Sequence, residues 1–112
     1  MKVFVFGSNL AGRHGAGAAL AARQLWAAKY GVGVGPTGRA YAIPTKDEHL
    51  RTLPLARIHP FVDAFLAYAR AHPDTTFLVT RIGCGLAGYT DTDIAPMFRN
   101  APLNCQLPPG WR

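Results

Sequence analysis

Lys2-Val3-Phe4-Val5-Phe6-Gly7-Ser8-Asn9-Leu10-Ala11-Gly12-Arg13-His14-Gly15-Ala16-Gly17 opens the chain as an apolar run that breaks into glycines. Lys2 to Phe6 is rich in β-branched and aromatic residues without alternation, which is how a strand covered on both faces reads, so it belongs in the middle of a sheet. From Gly15 to Lys29 the glycines give way to Ala18, Ala19, Leu20, Ala22, Leu25 and Trp26, helix formers with one apolar face. The succession of strand, glycine loop and helix recurs later. Thr76 to Ile82 reads as a second buried strand and runs into Gly83-Cys84-Gly85-Leu86-Ala87-Gly88. Glycine leaves the backbone bare, so its N–H groups can approach ligand oxygens, and the first N–H groups of a helix lack partners and sit at its positive end. Two such loops predict a phosphate-bearing ligand held from two sides.

Between the loops, Gly31 to Arg39 carries four glycines and Pro36 and reads as a loop or irregular hairpin. Ala40 to Ile43 reads as a short strand ended by Pro44, and the polar stretch after Thr45-Lys46-Asp47 to Thr52 as a mobile loop of the kind that covers ligands. A second helix is expected to begin near Leu55 to Ile58 and run to Ala71, with Ile58, Phe61, Val62, Phe65, Leu66 and Ala69 at helical spacing and His72-Pro73 beyond its end. A short helix is expected from about Thr92 to Phe98, capped by Asp91 or Thr92, and a last edge strand over Asn104 to Leu107. Alternating strands and helices predict a single α/β domain over 1–112, a three-layer α/β/α sandwich with a mostly parallel sheet. Ligands of such sheets bind beyond the carboxyl ends of the strands, where both glycine loops and Pro44-Thr45-Lys46 are expected to converge.

Composition narrows the partners. Twelve Lys and Arg against six Asp and Glu give a formal net charge of +6, a bias toward nucleotides, nucleic acid or phosphorylated ligands. The arginines are scattered, with no dense basic run to wrap DNA. Cys84 and Cys105 lack the spacing of a zinc site and are too few for a disulfide framework, so no metal is expected and a reduced, cytoplasmic protein is. The apolar N-terminal run is too short for a signal peptide or membrane span. The first loop ends in Gly-Ala-Gly-Ala where a P-loop needs Gly-Lys-Ser/Thr, and it lacks the spacing and downstream acid of a dinucleotide site. Walker-type hydrolysis and NAD-dependent redox chemistry are therefore not expected, and no cofactor is called for.

Candidate site residues follow from position. Asn9 stands at the expected end of the first strand, where its amide suits a ribose hydroxyl pair and equally suits a turn. His14 is either a surface loop residue or a ligand contact that titrates near neutrality. Lys46 follows Ile43-Pro44-Thr45 at a strand end. It is one of three lysines (Lys2, Lys29, Lys46), and a desolvated lysine can lose its proton and act as nucleophile or base, which arginine cannot; otherwise it is a solvated loop cation. Asp91 and Asp93 are either an acid/base pair or the charges that start the last helix. Cys84 is either a reactive thiolate or a packed small residue, and Tyr89, beside Gly88, is placed near the ligand.

These segments resemble the macrodomain superfamily, α/β/α modules that bind ADP-ribose. Within it the likeness is to the branch holding the terminal ADP-ribose protein glycohydrolase and the antitoxin macrodomains that remove ADP-ribose from DNA. Asn9 with His14-Gly15-Ala16-Gly17-Ala18-Ala19 looks like that branch's Asn and Met-Gly-(Lys/Ala)-Gly-Ile-Ala loop. Pro44-Thr45-Lys46 looks like its strand ending in Thr-Lys, and Arg81-Ile82-Gly83-Cys84-Gly85-Leu86 like its Gly-Cys-Gly loop. The resemblance covers about Val3 to Phe98. It implies that Asn9, His14, Gly15, Ala16 and Gly17 hold the ribose and diphosphate. The second loop (Gly83, Cys84, Gly85, Leu86, Ala87, Gly88) would then wrap the diphosphate, with Thr45 and Tyr89 as further ligand contacts and Lys46 acting at the anomeric carbon of the distal ribose. Where the protein glycohydrolase has a catalytic Asp after Gly-Cys-Gly-Leu, this chain has Ala87, which leaves a lysine-centred mechanism. The expected ligand is ADP-ribose or an ADP-ribosylated macromolecule, DNA or protein. A non-catalytic binder of ADP-ribose or a signalling nucleotide, and a nucleic-acid-binding accessory protein, are the other two readings.

Overall fold

The computed structural model describes residues 1–112. Strand β1 (Lys2–Asn9) is followed by helix α1 (Gly17–Leu25), strands β2 (Gly35–Thr37) and β3 (Ala40–Lys46), helix α2 (Leu55–Ala71) and strand β4 (Thr76–Val79). A four-residue helix α3 (Asp91–Ile94), a 3-10 turn (Ala95–Phe98) and strand β5 (Cys105–Gln106) complete it. The five strands form one sheet in the order β2-β3-β1-β4-β5, parallel throughout except for the β2–β3 pair. No helix is long and apolar enough to cross a membrane.

β1 is central, as its unbroken apolar run requires, and its alternate residues serve two separate cores. Val3 and Val5 join Tyr41, Ile43 and the buried face of α2 (Ile58, Val62, Phe65) in the larger one. Phe6 joins Ala40, Ala42 and the α1 residues Ala19 and Ala22 in the smaller. Alanine on α1 lets that helix lie close to the sheet, and Phe4 stacks on Trp26 with ring centroids 5.3 Å apart.

Pro44 does not end its strand. β2 pairs only with Ala40 to Ala42, so Pro44 lies past that neighbour, where its missing N–H removes no ladder bond on the β2 side. β1 likewise runs on to Asn9, while β4 stops at Val79, where the Thr80 hydroxyl donates to Val5 O at 2.7 Å. The Gly31–Arg39 segment contains β2 as well as loop, α1 starts at Gly17 rather than Gly15, and β5 is only Cys105–Gln106. Thr90, not Asp91 or Thr92, caps α3, closing a capping box with the Asp93 carboxylate.

After β1 the chain builds β2 and β3 on one side and β4 and β5 on the other, so the strand order reverses beside β1. That reversal opens a crevice at the carboxyl ends of β3, β1 and β4.

Candidate functional site

A cleft of about 770 Å³ occupies this crevice. β1 supplies its floor with Gly7, Ser8 and Asn9; the first glycine loop and the start of α1 supply one wall; and Thr80 to Ala87 supply the opposite wall. Thr45 and Lys46 enter between them. The register between β1 and β3 shifts after Ser8, which faces Pro44, so that Asn9 faces Lys46. This irregularity sets Thr45 out of step and brings Lys46 to the strand end beside Asn9; such bulges re-aim side chains next to sites.

The walls carry two banks of unused backbone donors. The amides of Gly15, Ala16, Gly17, Ala18 and Ala19 make no hydrogen bond within the chain, and the Ala16 cap offers no side-chain acceptor. On the other wall, the amides of Gly83, Gly85, Leu86 and Ala87 are equally unpaired. Gly83 has φ 78°, which favours glycine, and a Cβ there would also press on Ile94, 3.1 Å from its Cδ1. Gly7 leaves the floor open between the walls: a Cβ there would meet Gly83 N and Thr45 Oγ1, each at 3.6 Å.

The charged side chains lining the cleft are Arg13, Lys46 and Arg81, and no carboxylate lines it. Arg13 and Lys46 take part in no ion pair; the three ion pairs of the chain lie elsewhere or, in Arg81, join its Nε to Asp91. Arg13, Arg81 and the rim residues Tyr30 and Leu50 join the lining without being among the site residues expected from the sequence. The signal available for the two arginines was a cation inside the first glycine loop and another two residues before the second.

Several expected site residues have other work. The Asn9 amide donates to Arg13 O at 2.8 Å and accepts from Arg13 N at 2.9 Å, so it closes the first loop while lining the cleft. His14 is fully buried and does not line the cleft, being neither a surface residue nor an exposed contact. Its ring stands edge-on to Phe6, its Nε2 pairs with Val32 O at 2.9 Å, and burial holds its pKa below 6.5. Tyr89 points away as well, its hydroxyl donating to Leu53 O at 2.6 Å, and Gly88 stays outside the lining.

Neither aspartate stands in for the carboxylate absent at Ala87. Asp93 is spent on Thr90, and Asp91 Oδ1 accepts from Arg81 Nε at 2.9 Å and Trp111 Nε1 at 3.0 Å. The Arg81 and Trp111 hydrogen bonds hold the Asp91 carboxyl below the usual carboxylate range, which unsuits it as a proton donor. Cys84 lines the cleft, yet burial and then the Asp91 charge push its thiol pKa up, against a reactive thiolate.

The segment expected to be mobile is tied down. Asp47 Oδ1 accepts the amides of His49 and Arg51, Thr52 Oγ1 donates to Ala87 O at 3.0 Å, and Leu53 N donates to Thr45 O at 2.8 Å. It latches the β3 end to the second glycine loop. No cluster of three or more His, Cys, Asp or Glu side chains gathers in metal-binding geometry. Comparison with family models, with curated proteins and with solved structures returns no match to this chain.

Proposed function

We propose that this protein binds ADP-ribose in the cleft and removes it from a macromolecule, DNA or protein, with Lys46 as the catalytic residue. The observation that carries the reading is the composition of the cleft: two facing banks of unpaired amides and three cations, with no carboxylate to repel a ligand. Unpaired amides at a helix start and in a glycine loop favour oxyanions, and two banks suit two linked phosphates. The volume falls in the range of small-molecule sites, and the rim residues Tyr30, Leu50 and Leu86 offer apolar surface for a base or sugar. The two cores on opposite faces of the sheet suit the α/β/α layering of the macrodomains that the sequence resembles.

Lys46 is half-buried at the meeting of floor and walls, without a carboxylate partner. A diphosphate between the amide banks with its distal ribose at the strand end would bring the anomeric carbon to Lys46, which supports the lysine as the group for attack or proton transfer there. The absence of any lining carboxylate also favours a second reading, a non-catalytic binder of ADP-ribose or a related nucleotide.

Calorimetric titration with ADP-ribose, ADP and NAD, followed by hydrolysis assays on ADP-ribosylated DNA and protein with wild type and Lys46→Ala, tests both. Tight binding with Lys46-dependent release of ADP-ribose is the expected result. Binding without release leaves the binder reading. Equal release by both proteins removes Lys46 from the chemistry, and steeply salt-dependent DNA binding without nucleotide binding overturns both.

A further inference from the structure

We infer that Arg81 is a ligand-binding residue of the cleft, a fork for an oxyanion, and that Asp91 and Trp111 are positioning residues that fix its direction. The inference rests on reading the cleft as an anion seat. Arg81 follows Thr80 at the carboxyl end of β4, lines the cleft and keeps 59% of its side chain exposed. Its Nε donates to Asp91 Oδ1 at 2.9 Å, and its two terminal amino groups meet no acceptor in the chain. Arg39, Arg70 and Arg112 use theirs on backbone carbonyls, whereas Arg81 combines a fixed Nε with a free outer edge on the cleft wall. A guanidinium held by Nε alone presents its Nη1–Nη2 edge, the edge that grips a phosphate in bidentate fashion.

An isolated surface ion pair would be a poor support for that edge, since holding two long side chains costs entropy and water screens the charges. Asp91 is not isolated. The same Oδ1 that receives Arg81 also accepts Trp111 Nε1 at 3.0 Å. Trp111 is 5% exposed, belongs to the larger core and packs on Phe98 with ring centroids 5.3 Å apart. The order of support therefore runs from core to indole, from indole to carboxylate, and from carboxylate to guanidinium. The alternative, in which Arg81 and Asp91 merely brace the second glycine loop, gives the ligand no direct contact with Arg81.

Titration calorimetry of wild type, Arg81→Ala, Arg81→Lys, Asp91→Asn and Trp111→Phe separates the two, with ADP-ribose and inorganic pyrophosphate as probes and a thermal scan to confirm folding. Arg81→Ala should weaken both probes by roughly 10- to 100-fold, the range for a lost charge-assisted contact, and Arg81→Lys should recover only part of it. Asp91→Asn is the discriminating variant. By charge alone it removes a negative group and should tighten an anion, whereas by positioning it should weaken both probes, and Trp111→Phe should weaken them likewise. Tighter binding by Asp91→Asn overturns the positioning role. Wild-type affinity for both probes in Arg81→Ala overturns the role of Arg81 while leaving the ADP-ribose reading intact. Arg81-dependent binding of pyrophosphate, with ADP-ribose bound no better, upholds Arg81 and refutes the nucleotide reading. Failure of wild type to bind either probe overturns both.

Discussion

Gly7→Ala separates the stability of the domain from the chemistry of its cleft. Gly7 lies in the interior of β1, its φ is not in the left-handed region, and an added Cβ would meet Gly83 N and Thr45 Oγ1 at 3.6 Å and Ile82 Cγ2 at 3.7 Å. All three are ordinary contacts, so the variant should fold. Replacing glycine where alanine fits restricts the unfolded chain and stabilises by about 0.4–1 kcal/mol. For a domain near this size 1 kcal/mol moves the melting temperature by roughly 4–8 °C, so thermal unfolding should shift up by a few degrees. The same methyl stands on the floor of the cleft against the Gly83 amide. An oxyanion needs its oxygen about 2.7–3.2 Å from that nitrogen, and a methyl 3.6 Å from the same atom competes for the space. Losing one amide-to-phosphate bond costs about 1.5–3 kcal/mol, or roughly 10- to 100-fold in affinity. Calorimetry with ADP-ribose reads the affinity and a thermal scan reads the fold. Gly83→Ala is the contrasting control, because φ 78° and Ile94 Cδ1 at 3.1 Å make it lose stability and binding together. A folded Gly7→Ala that binds as tightly as wild type would refute the use of the Gly83 amide as part of the anion seat.

Lys46→Arg keeps a positive charge but has no accessible neutral form, so it should retain ADP-ribose binding within about tenfold and lose turnover; substantial hydrolysis by this variant would reduce Lys46 to an electrostatic role. His14 is buried with its pKa lowered below 6.5, mainly by desolvation, so the unfolded chain takes up this proton at higher pH than the folded one. The stability it provides is whole above pH 6.5 and is lost as pH falls from there toward the depressed folded value; urea unfolding at pH 7.5 and 5.0 should show the loss, and equal midpoints would contradict it. Tyr89→Phe removes the hydroxyl bond to Leu53 O and should destabilise by about 0.5–1.5 kcal/mol, read as a lower denaturant midpoint, while a neutral result would show that the latch carries no load. Cys84, with its thiol pKa raised by burial and by Asp91, should alkylate with iodoacetamide at pH 7.5 more slowly than free cysteine, and faster reaction would restore the reactive-thiolate reading.

What the sequence disclosed is what neighbours along the chain decide. The apolar run from Lys2 to Phe6, the alanines of α1, the spacing of Ile58, Val62, Phe65 and Ala69, and the two glycine loops are local patterns, and they fix a central strand, its flanking helices and a crevice at the strand ends. The errors arise where distant residues decide. Pro44 continues its strand only because β2 is too short to reach it. His14 is flanked by glycine on one side and looks like a loop tip, yet Phe6, Tyr30 and Val32 enclose its ring. The segment up to Thr52 is polar and reads as mobile until Ala87, 35 residues away, accepts its hydroxyl. Asp91 resembles a spare acid until Trp111, 20 residues on, donates to it. These long-range bonds share a purpose that local pattern cannot express. The amides of a glycine loop bind well only when their directions are set before the ligand arrives, and glycine by itself supplies freedom rather than direction. The order must come from outside the loop. Thr52 on Ala87, Tyr89 on Leu53 and Trp111 on Asp91 all end on or beside the second glycine loop, so the residues that look idle in the sequence are those that hold its donors in place.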